Sequence, residues 1–184
     1  MIDYPFYGLW QVVETSTDIA EAEMYLANGR HNIFKLKIGW QAPSVAIAHV
    51  SAIKKALGNR AKITVDVNQA WDESTAKLYI GKLQDAGVDL VEQPIVRDNF
   101  DGLARLTRLF TVPIMADEAQ GDLADSFKLA KLRASDVWAL KIGKAGGLYN
   151  VLKAALCAFN QSCLLCRALQ FCGLTKRECL ILCP

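Results

Sequence analysis

The chain repeats one predicted β-strand and one predicted α-helix about every 25 to 29 residues. Three predicted helices end at glycines spaced by 29 residues, Gly29, Gly58 and Gly87. Glycine just past a helix favours the left-handed conformation that closes the last turn. A run typical of a β-strand follows each glycine, namely IFKLKI, KITVDVN and DLVEQP. This strict alternation predicts a parallel sheet covered by helices.

Six such units can be read along the chain. Two more strand–helix pairs follow, VPIMADE before LADSFKLAKLRA and VWALKIG before GLYNVLKAAL, and LWQVVET precedes the first helix. Asp18, with Glu21 three residues later, predicts the cap at the start of that first helix. Eight units of this size make a (β/α)8 barrel of roughly 250 residues. We therefore predict the α/β class and a partial (β/α)8 barrel with about six of its eight units. An open doubly wound sheet is the alternative, but no G-x-G-x-x-G follows a strand to support dinucleotide binding.

Composition excludes several classes of protein. The net charge of +2 arises from 21 basic and 19 acidic residues without a basic run, which argues against nucleic-acid binding. Apolar residues make up 52% of the chain, as in a globular protein. No stretch reaches the roughly 18 apolar residues of a membrane span, and MIDYPFYGLW lacks the features of a signal peptide. We expect a cytoplasmic protein without a membrane partner.

Charged side chains stand at the ends of five consecutive predicted strands. In chain order they are Lys35 and Lys37, Asp66 with Asn68 beyond it, Glu92, Asp117 with Glu118, and Lys141. The steps from Lys37 onward are 29, 26, 25 and 24 residues, close to one unit each. In a parallel barrel the strand ends share the face on which active sites are built. Lys35 and Lys37 are two residues apart, so we expect both to point to the same side of the sheet.

The residue types of this set predict a metal-assisted proton transfer. Three carboxylates from adjacent strands suit Mg²⁺ or Mn²⁺, and zinc is disfavoured because the set holds neither histidine nor cysteine. His31 and His49 lie outside the strand ends, and we expect them to be surface or packing residues. Burial and a nearby cation lower the pKa of a lysine, which can then exchange a proton with a carbon acid. Lys37 and Lys141 would approach an enolate, stabilised by the metal, from opposite faces.

The motifs KLKIG, VDVNQAW, LVEQP, MADEA and ALKIGKAGG occur in this order over about residues 9–153. Together they resemble the muconate-cycloisomerase subgroup of the enolase superfamily, and the likeness is closest to muconate and chloromuconate cycloisomerases. The resemblance implies that Asp66, Glu92 and Asp117 bind Mn²⁺ or Mg²⁺.

The resemblance also implies a role for each remaining residue of the set. Lys37 matches the catalytic acid/base, and Lys35 matches the lysine that assists it electrostatically and contacts the substrate carboxylate. Lys141 matches the lysine across the site. Asn68 and Glu118 match polar residues close to the metal ligands.

Members of this subgroup lactonise cis,cis-muconates during the breakdown of aromatic compounds, as intramolecular lyases classed with the isomerases. A substrate carboxylate adds to a double bond, a lysine protonates the resulting enolate, and chloride loss can follow with chlorinated substrates. The sequence MADEA favours the chloromuconate branch. The resemblance further implies a small dicarboxylate substrate and a homo-oligomer in intact relatives. A dipeptide epimerase, an o-succinylbenzoate synthase and an inactive remnant of such an enzyme are the alternatives.

The chain departs from the family pattern at both ends. The N-terminal capping domain and the last two barrel units are expected to be absent. All six cysteines lie between Cys157 and Cys183, and Glu178 is the only acidic residue in that stretch. We therefore predict an incomplete barrel domain, residues 1–156, and an atypical cysteine-rich tail, residues 157–184. We hypothesise that the tail comes from a shifted reading frame or a fusion.

Overall fold

The computed structural model describes the backbone of residues 8–11, 15–160, 164–168 and 179–182, and the side chains of residues 15–160. Within those residues, eight strands form one sheet in chain order. The strands are β1 (Gly8–Gln11), β2 (Ile33–Lys37), β3 (Lys62–Asp66), β4 (Leu90–Glu92), β5 (Ile114–Ala116), β6 (Val137–Leu140), β7 (Leu164–Ala168) and β8 (Cys179–Leu182). The first seven strands are parallel, and β8 runs antiparallel to β7.

Helices connect the successive parallel strands, as the sequence predicted. They are α1 (Thr15–Ala27), α2 (Pro43–Leu57), α3 (Glu73–Asp85), α4 (Phe100–Leu109), α5 (Leu123–Leu132), α6 (Ile142–Ala145) and α7 (Leu148–Asn160). A short 3-10 helix, Gly58–Arg60, follows α2. Of the helices described, none is long and apolar enough to cross a membrane.

The three glycines of the repeat lie where the sequence placed them. Gly29, Gly58 and Gly87 follow α1, α2 and α3 with φ angles of 60°, 56° and 79°. A side chain with a Cβ disfavours this left-handed backbone, whereas glycine adopts it readily. The predicted helix ends are therefore confirmed.

The predicted cap at Asp18 is wrong. Helix α1 begins at Thr15, which places Asp18 inside the first turn. The buried Asp18 carboxylate instead lies 3.1 Å from Nε2 of His49 on α2, and Nδ1 of His49 lies 2.8 Å from the hydroxyl of Thr15. A partner on another helix has therefore replaced the local capping interaction. His31 is also buried, and its ring packs edge-on against Tyr25.

Strand β2 shows how the sheet separates its two faces. Phe34 and Leu36 are fully buried and share the hydrophobic core with helix residues such as Ile53. Lys35 and Lys37 alternate with them and are only partly buried. Because neighbouring residues of a strand point to opposite faces, both lysines lie on the face away from the helices. This confirms the expectation that they point the same way.

Strand–helix alternation continues into the segment predicted to be an atypical tail. Helix α7 ends at Asn160, beyond residue 157, and β7 then pairs in parallel with β6. Strand β8 reverses direction and pairs with β7. The division at residue 157 and the origin of the tail stay predictions.

Candidate active site

One row of the sheet carries three residues of the predicted site. Lys37 on β2 pairs with Asp66 on β3, and Asp66 pairs with Glu92 on β4. Asp117 and Lys141 directly follow β5 and β6. The carboxyl ends of parallel strands open at one edge, which is the face where barrel enzymes build their sites. Strand register therefore brings these five residues to the same edge.

Lys35 joins the two carboxylates of adjacent strands. Its Nζ lies 3.0 Å from Oδ2 of Asp66 and 2.5 Å from Oε2 of Glu92, and each of these acidic residues is only 2% exposed. Burial acts to lower the pKa of Lys35, but the charges of Glu92 and Asp66 outweigh it and raise this pKa. Its neighbours therefore stabilise the ammonium form of Lys35.

The environment of Glu92 strongly perturbs its carboxyl group. Its pKa is raised to about 8, chiefly by burial and also by the charges of Asp66 and Asp117, while the nearby Lys35 ammonium acts to lower it. Like charges disfavour the ionised form only when they lie close together. The three acidic residues are therefore within electrostatic reach of one another.

Asp117 is held by two ammonium groups. Nζ of Lys141 lies 2.6 Å from its Oδ2, and Nζ of Lys144 lies 2.7 Å from its Oδ1. Lys144 also donates to the backbone carbonyl of Asp117 at 3.2 Å. Burial acts to raise the pKa of Asp117, but these two lysines outweigh burial and lower it. Asp117 is therefore held as a carboxylate.

Gln93 fixes the loop that carries Asp117. Its buried side-chain oxygen accepts the backbone N–H groups of Asp117 and Ala119, both at 3.0 Å. Its side-chain nitrogen donates to the carbonyl of Ile95 at 2.9 Å, and its own backbone carbonyl accepts the N–H of Gln69 at 2.8 Å. One glutamine thus connects the loops that follow β3, β4 and β5. Its φ angle of 37° is unusual for a residue other than glycine.

Asn68 and Glu118 connect two of these loops. The amide of Asn68 donates to Oε1 of Glu118 at 3.2 Å, and its backbone N–H donates to Oδ1 of Asp66 at 3.0 Å. Asn68 and Gln69 both have positive φ angles, 48° and 67°. The left-handed turn directs the Asn68 N–H back onto the carboxylate of Asp66.

Lys37 differs from the other lysines of the site. It is partly buried at the end of β2, beside Asp66 in the sheet. Among the side chains of residues 15–160, no carboxylate forms an ion pair with Lys37. Lys35 and Lys141, in contrast, are each bonded to acidic residues. Lys37 is therefore the amine of the set without a carboxylate partner among the described residues.

The donor chemistry fits a hard divalent cation. Asp66, Glu92 and Asp117 supply buried acidic side chains from three neighbouring strands. Burial, with a smaller effect of the charges of Asp66 and Asp117, raises the pKa of Glu92, and a bound cation would favour its ionised form. Where side chains are described, no three acidic, histidine or cysteine groups are close enough together to hold a metal as they stand. Lys35 joins Asp66 to Glu92, while Asp117 is bonded to Lys141 on the next strand. Convergence of the three carboxylates on one cation stays a prediction.

Sequence reasoning missed Lys144 and the function of the Gln93 side chain. Lys144 stands three residues beyond Lys141, in α6 rather than at a strand end, and one helical turn brings both onto Asp117. The K-x-x-K spacing ahead of two glycines was the available signal. Gln93 could be seen only as the residue after Glu92, since its side-chain oxygen bonds Asp117 and Ala119 in the loop after the next strand.

Comparisons with known proteins agree with the geometry. The model of the family described as enolase C-terminal domain-like matches residues 18–168. A chloromuconate cycloisomerase of Pseudomonas putida is 46% identical over 145 residues, which are 79% of this chain and 39% of that protein. Muconate cycloisomerase 1-2 of Acinetobacter lwoffii is 52% identical over 146 residues, 79% of this chain and 38% of that protein. The chain thus spans about two fifths of the length of these relatives.

Solved structures show the same relationship. The crystal structure of muconate cycloisomerase from Pseudomonas fluorescens superposes with a TM-score of 0.84 at 46% identity, over 88% of this chain and 45% of that one. The structure of 2-chloromuconate cycloisomerase from Rhodococcus opacus 1CP gives 0.81 at 32% identity, over 88% and 43%. The predicted resemblance and the predicted partial α/β barrel are confirmed.

Proposed function

The chain belongs to the enolase C-terminal domain-like family, and from this premise we propose that it performs the chemistry of a metal-dependent cycloisomerase that lactonises cis,cis-muconate or a chloromuconate through an enolate. One observation carries the proposal. Amines and buried carboxylates from five consecutive strands, β2 to β6, lie together at the carboxyl edge of the sheet. That combination suits proton transfer beside a carboxylate.

Asp66, Glu92 and Asp117 would hold the divalent cation, Mn²⁺ or Mg²⁺. When bound, the cation would supply positive charge next to the substrate carboxylate, where negative charge develops. Asn68 supports this arrangement by bonding the Asp66 carboxylate through its backbone N–H and Glu118 through its amide. Gln93 supports it by holding the backbone of Asp117.

Lys37 is proposed as the group that delivers the proton. One carboxylate oxygen of the substrate forms a C–O bond to a double-bond carbon, and the electron pair of that double bond moves toward the other carboxylate, giving an enolate. The Lys37 ammonium then donates its proton to the α carbon and becomes neutral, which completes the lactone. The absence of a carboxylate partner for Lys37 among the described residues supports this role, because a bonded ammonium is a weaker acid.

Lys35 and Lys141 are proposed to act by supplying positive charge. The two acidic neighbours of Lys35 keep it protonated, so it supplies a fixed positive charge beside Lys37 for a dicarboxylate substrate. Lys141, which follows β6, supplies a second positive charge beside Asp117. Such preorganised charges stabilise a developing enolate at little reorganisation cost.

The proposal is tested by mixing the full chain and Mn²⁺ with cis,cis-muconate or 3-chloromuconate. Lactone formation is followed by the loss of diene absorbance and by NMR of the product. Lys37→Met is expected to lower turnover by about 10²–10⁴-fold. Lys55→Met, which removes an exposed lysine of α2, is the matched control and should leave turnover unchanged. A wild-type chain that is stabilised by Mn²⁺ yet turns over neither muconate would contradict the proposed reaction.

A further inference from the structure

Each oxygen of the Asp117 carboxylate is bonded to an ammonium group, and the two lysines lie three residues apart in the chain. Lys141 stands directly after β6 and holds Oδ2, whereas Lys144 lies on α6 and holds Oδ1. The side chain of Lys141 is 19% exposed and that of Lys144 is 33% exposed. Lys144 is thus the more accessible of the two cations, and the reaction proposed above gives it no function.

Ammonium groups already accompany the three acidic residues. Lys35 is shared by Asp66 and Glu92, and Asp117 is shared by Lys141 and Lys144. Three ammonium groups therefore lie against the three buried acidic side chains. A divalent cation that entered this cluster would add two positive charges within a few ångströms of the ammonium groups. Their mutual repulsion, in a partly buried setting, opposes metal binding.

We propose that Lys144 is a positioning residue that holds Asp117 as a substitute cation and releases its Oδ1 when a divalent metal binds. This inference rests on the proposed metal site. Lys144 suits the function because it sits on a flexible four-carbon stem at the solvent side of the site, so its ammonium can withdraw into water. Lys141 follows the strand directly and is less exposed, so it stays beside Asp117.

This competition predicts that loss of Lys144 has opposite effects on the metal-free and the metal-bound protein. Without metal, loss of Lys144 leaves Asp117 with one ammonium partner, which destabilises the folded chain. With metal, the same loss removes both a bond that must be broken and a repelling charge. A residue that only packed or only supported the fold would weaken both states together.

The test titrates Mn²⁺ into the full chain by calorimetry and records Tm with and without Mn²⁺. For Lys144→Met we expect a Tm below wild type without metal, and Mn²⁺ binding about tenfold tighter than wild type. Lys144→Gln is the second variant and should behave in the same way. Lys144→Arg, which keeps the charge, should bind Mn²⁺ as wild type does. Lys128→Met is the control that removes an equal charge. Lys128 is exposed, and its Nζ lies 3.2 Å from Oδ1 of Asp125, away from the candidate site.

Unchanged or weaker Mn²⁺ binding in both neutral variants of Lys144 would overturn the inference while leaving the metal site intact. A wild-type chain that binds no Mn²⁺ would instead overturn the proposed metal site, and the inference with it. Tighter binding in Lys128→Met of the same size as in Lys144→Met would show a general charge effect and would also overturn it.

Discussion

The side-chain oxygen of Gln93 accepts the backbone N–H of Asp117 at 3.0 Å, so one amide ties the end of β4 to the residue that follows β5. The same oxygen accepts the N–H of Ala119. Two buried donors of the Asp117 loop therefore depend on one side chain. The position of this candidate metal ligand is set by the residue that follows the neighbouring strand.

Replacing Gln93 by Leu should affect both stability and metal binding. Each buried N–H left without an acceptor costs about 1–3 kcal/mol, so for two such groups we expect the free energy of unfolding to fall by about 2–6 kcal/mol. Mn²⁺ should also bind more weakly, because Asp117 is no longer held in place. Urea denaturation measures the first effect and calorimetric titration the second.

Gln84 provides the matched control for Gln93. Its side-chain oxygen accepts the backbone N–H groups of Thr111 and Val112, which precede β5 at the other edge of the sheet. Gln84→Leu should therefore reduce stability without changing Mn²⁺ affinity. Equal losses of affinity in the two variants would show that Gln93 acts through general stability only.

Replacing Lys35 by Met should leave Asp66 and Glu92 as buried acidic neighbours without their shared ammonium. Removing one partner of a buried ion pair destabilises a protein by about 3–5 kcal/mol. The expected loss in unfolding free energy is of this order, measured by urea denaturation at pH 7. Adding Glu92→Gln to Lys35→Met should recover part of the stability, since it removes an acidic group with a raised pKa, which on folding must either take up a proton or be buried as an ion. A double variant less stable than the single one would refute the pairing argument.

Gly39, the last residue of the KLKIG motif, should not tolerate a side chain. A Cβ at this position would lie 2.0 Å from the backbone oxygen of Val67, so the loop after β2 would have to move away from the end of β3. For Gly39→Ala we expect a loss of about 1–3 kcal/mol in unfolding free energy and reduced Mn²⁺ affinity. Gly81→Ala is the control, because its Cβ would meet only a ring atom of Phe110 at 3.7 Å. Alanine inside helix α3 should stabilise the chain slightly.

Acid should weaken the contact between α1 and α2 through His49. Burial lowers the pKa of His49 from 6.5, although the carboxylate of Asp18 acts to raise it. The unfolded chain therefore takes up a proton at a higher pH than the folded chain does. The His49 contribution to stability is complete above the unfolded value and is lost as the pH falls through 6.5 toward the folded-state pKa.

The measurement for His49 is the free energy of unfolding of wild type and His49→Gln at a series of pH values. The wild type should lose stability relative to the variant as the pH falls, with a slope of at most about 1.4 kcal/mol per pH unit. A difference that is flat, or that grows in favour of the wild type on acidification, would contradict the burial of a neutral imidazole.

The parts of the site that follow from strand periodicity could be predicted from sequence. Lys37, Asp66 and Glu92 follow one another at steps of about one strand–helix unit, and the sheet register places the three in one row. Glycines at helix ends are similarly local signals, confirmed by the positive φ of Gly29 and its counterparts. Residues at equivalent positions of successive strand–helix units lie at the same edge of a parallel sheet, so the spacing along the chain predicts where they lie.

The parts that depend on contacts between distant segments could not be predicted. Asp18 looked like a helix cap because Glu21 follows it, yet its partner is His49 on another helix. The raised pKa of Lys35 depends on two acidic side chains from other strands, which outweigh the effect of burial. Lys144 lies outside the repeat phase, and only the turn of α6 directs it onto Asp117. Each of these outcomes is decided by a neighbour remote in sequence.

The shared row of Lys37, Asp66 and Glu92 has a consequence for how this domain tolerates change. Slippage of β3 by a single residue would turn Asp66 toward the helices and remove it from the row. The backbone hydrogen bonds that set the register of β3 therefore also set the position of the candidate site residue. Lengthening the connections at the amino edge of the sheet, such as the turn at Gly58–Arg60, leaves that pairing untouched. Those turns are therefore the places where this scaffold could accept inserted peptides or be cut and rejoined.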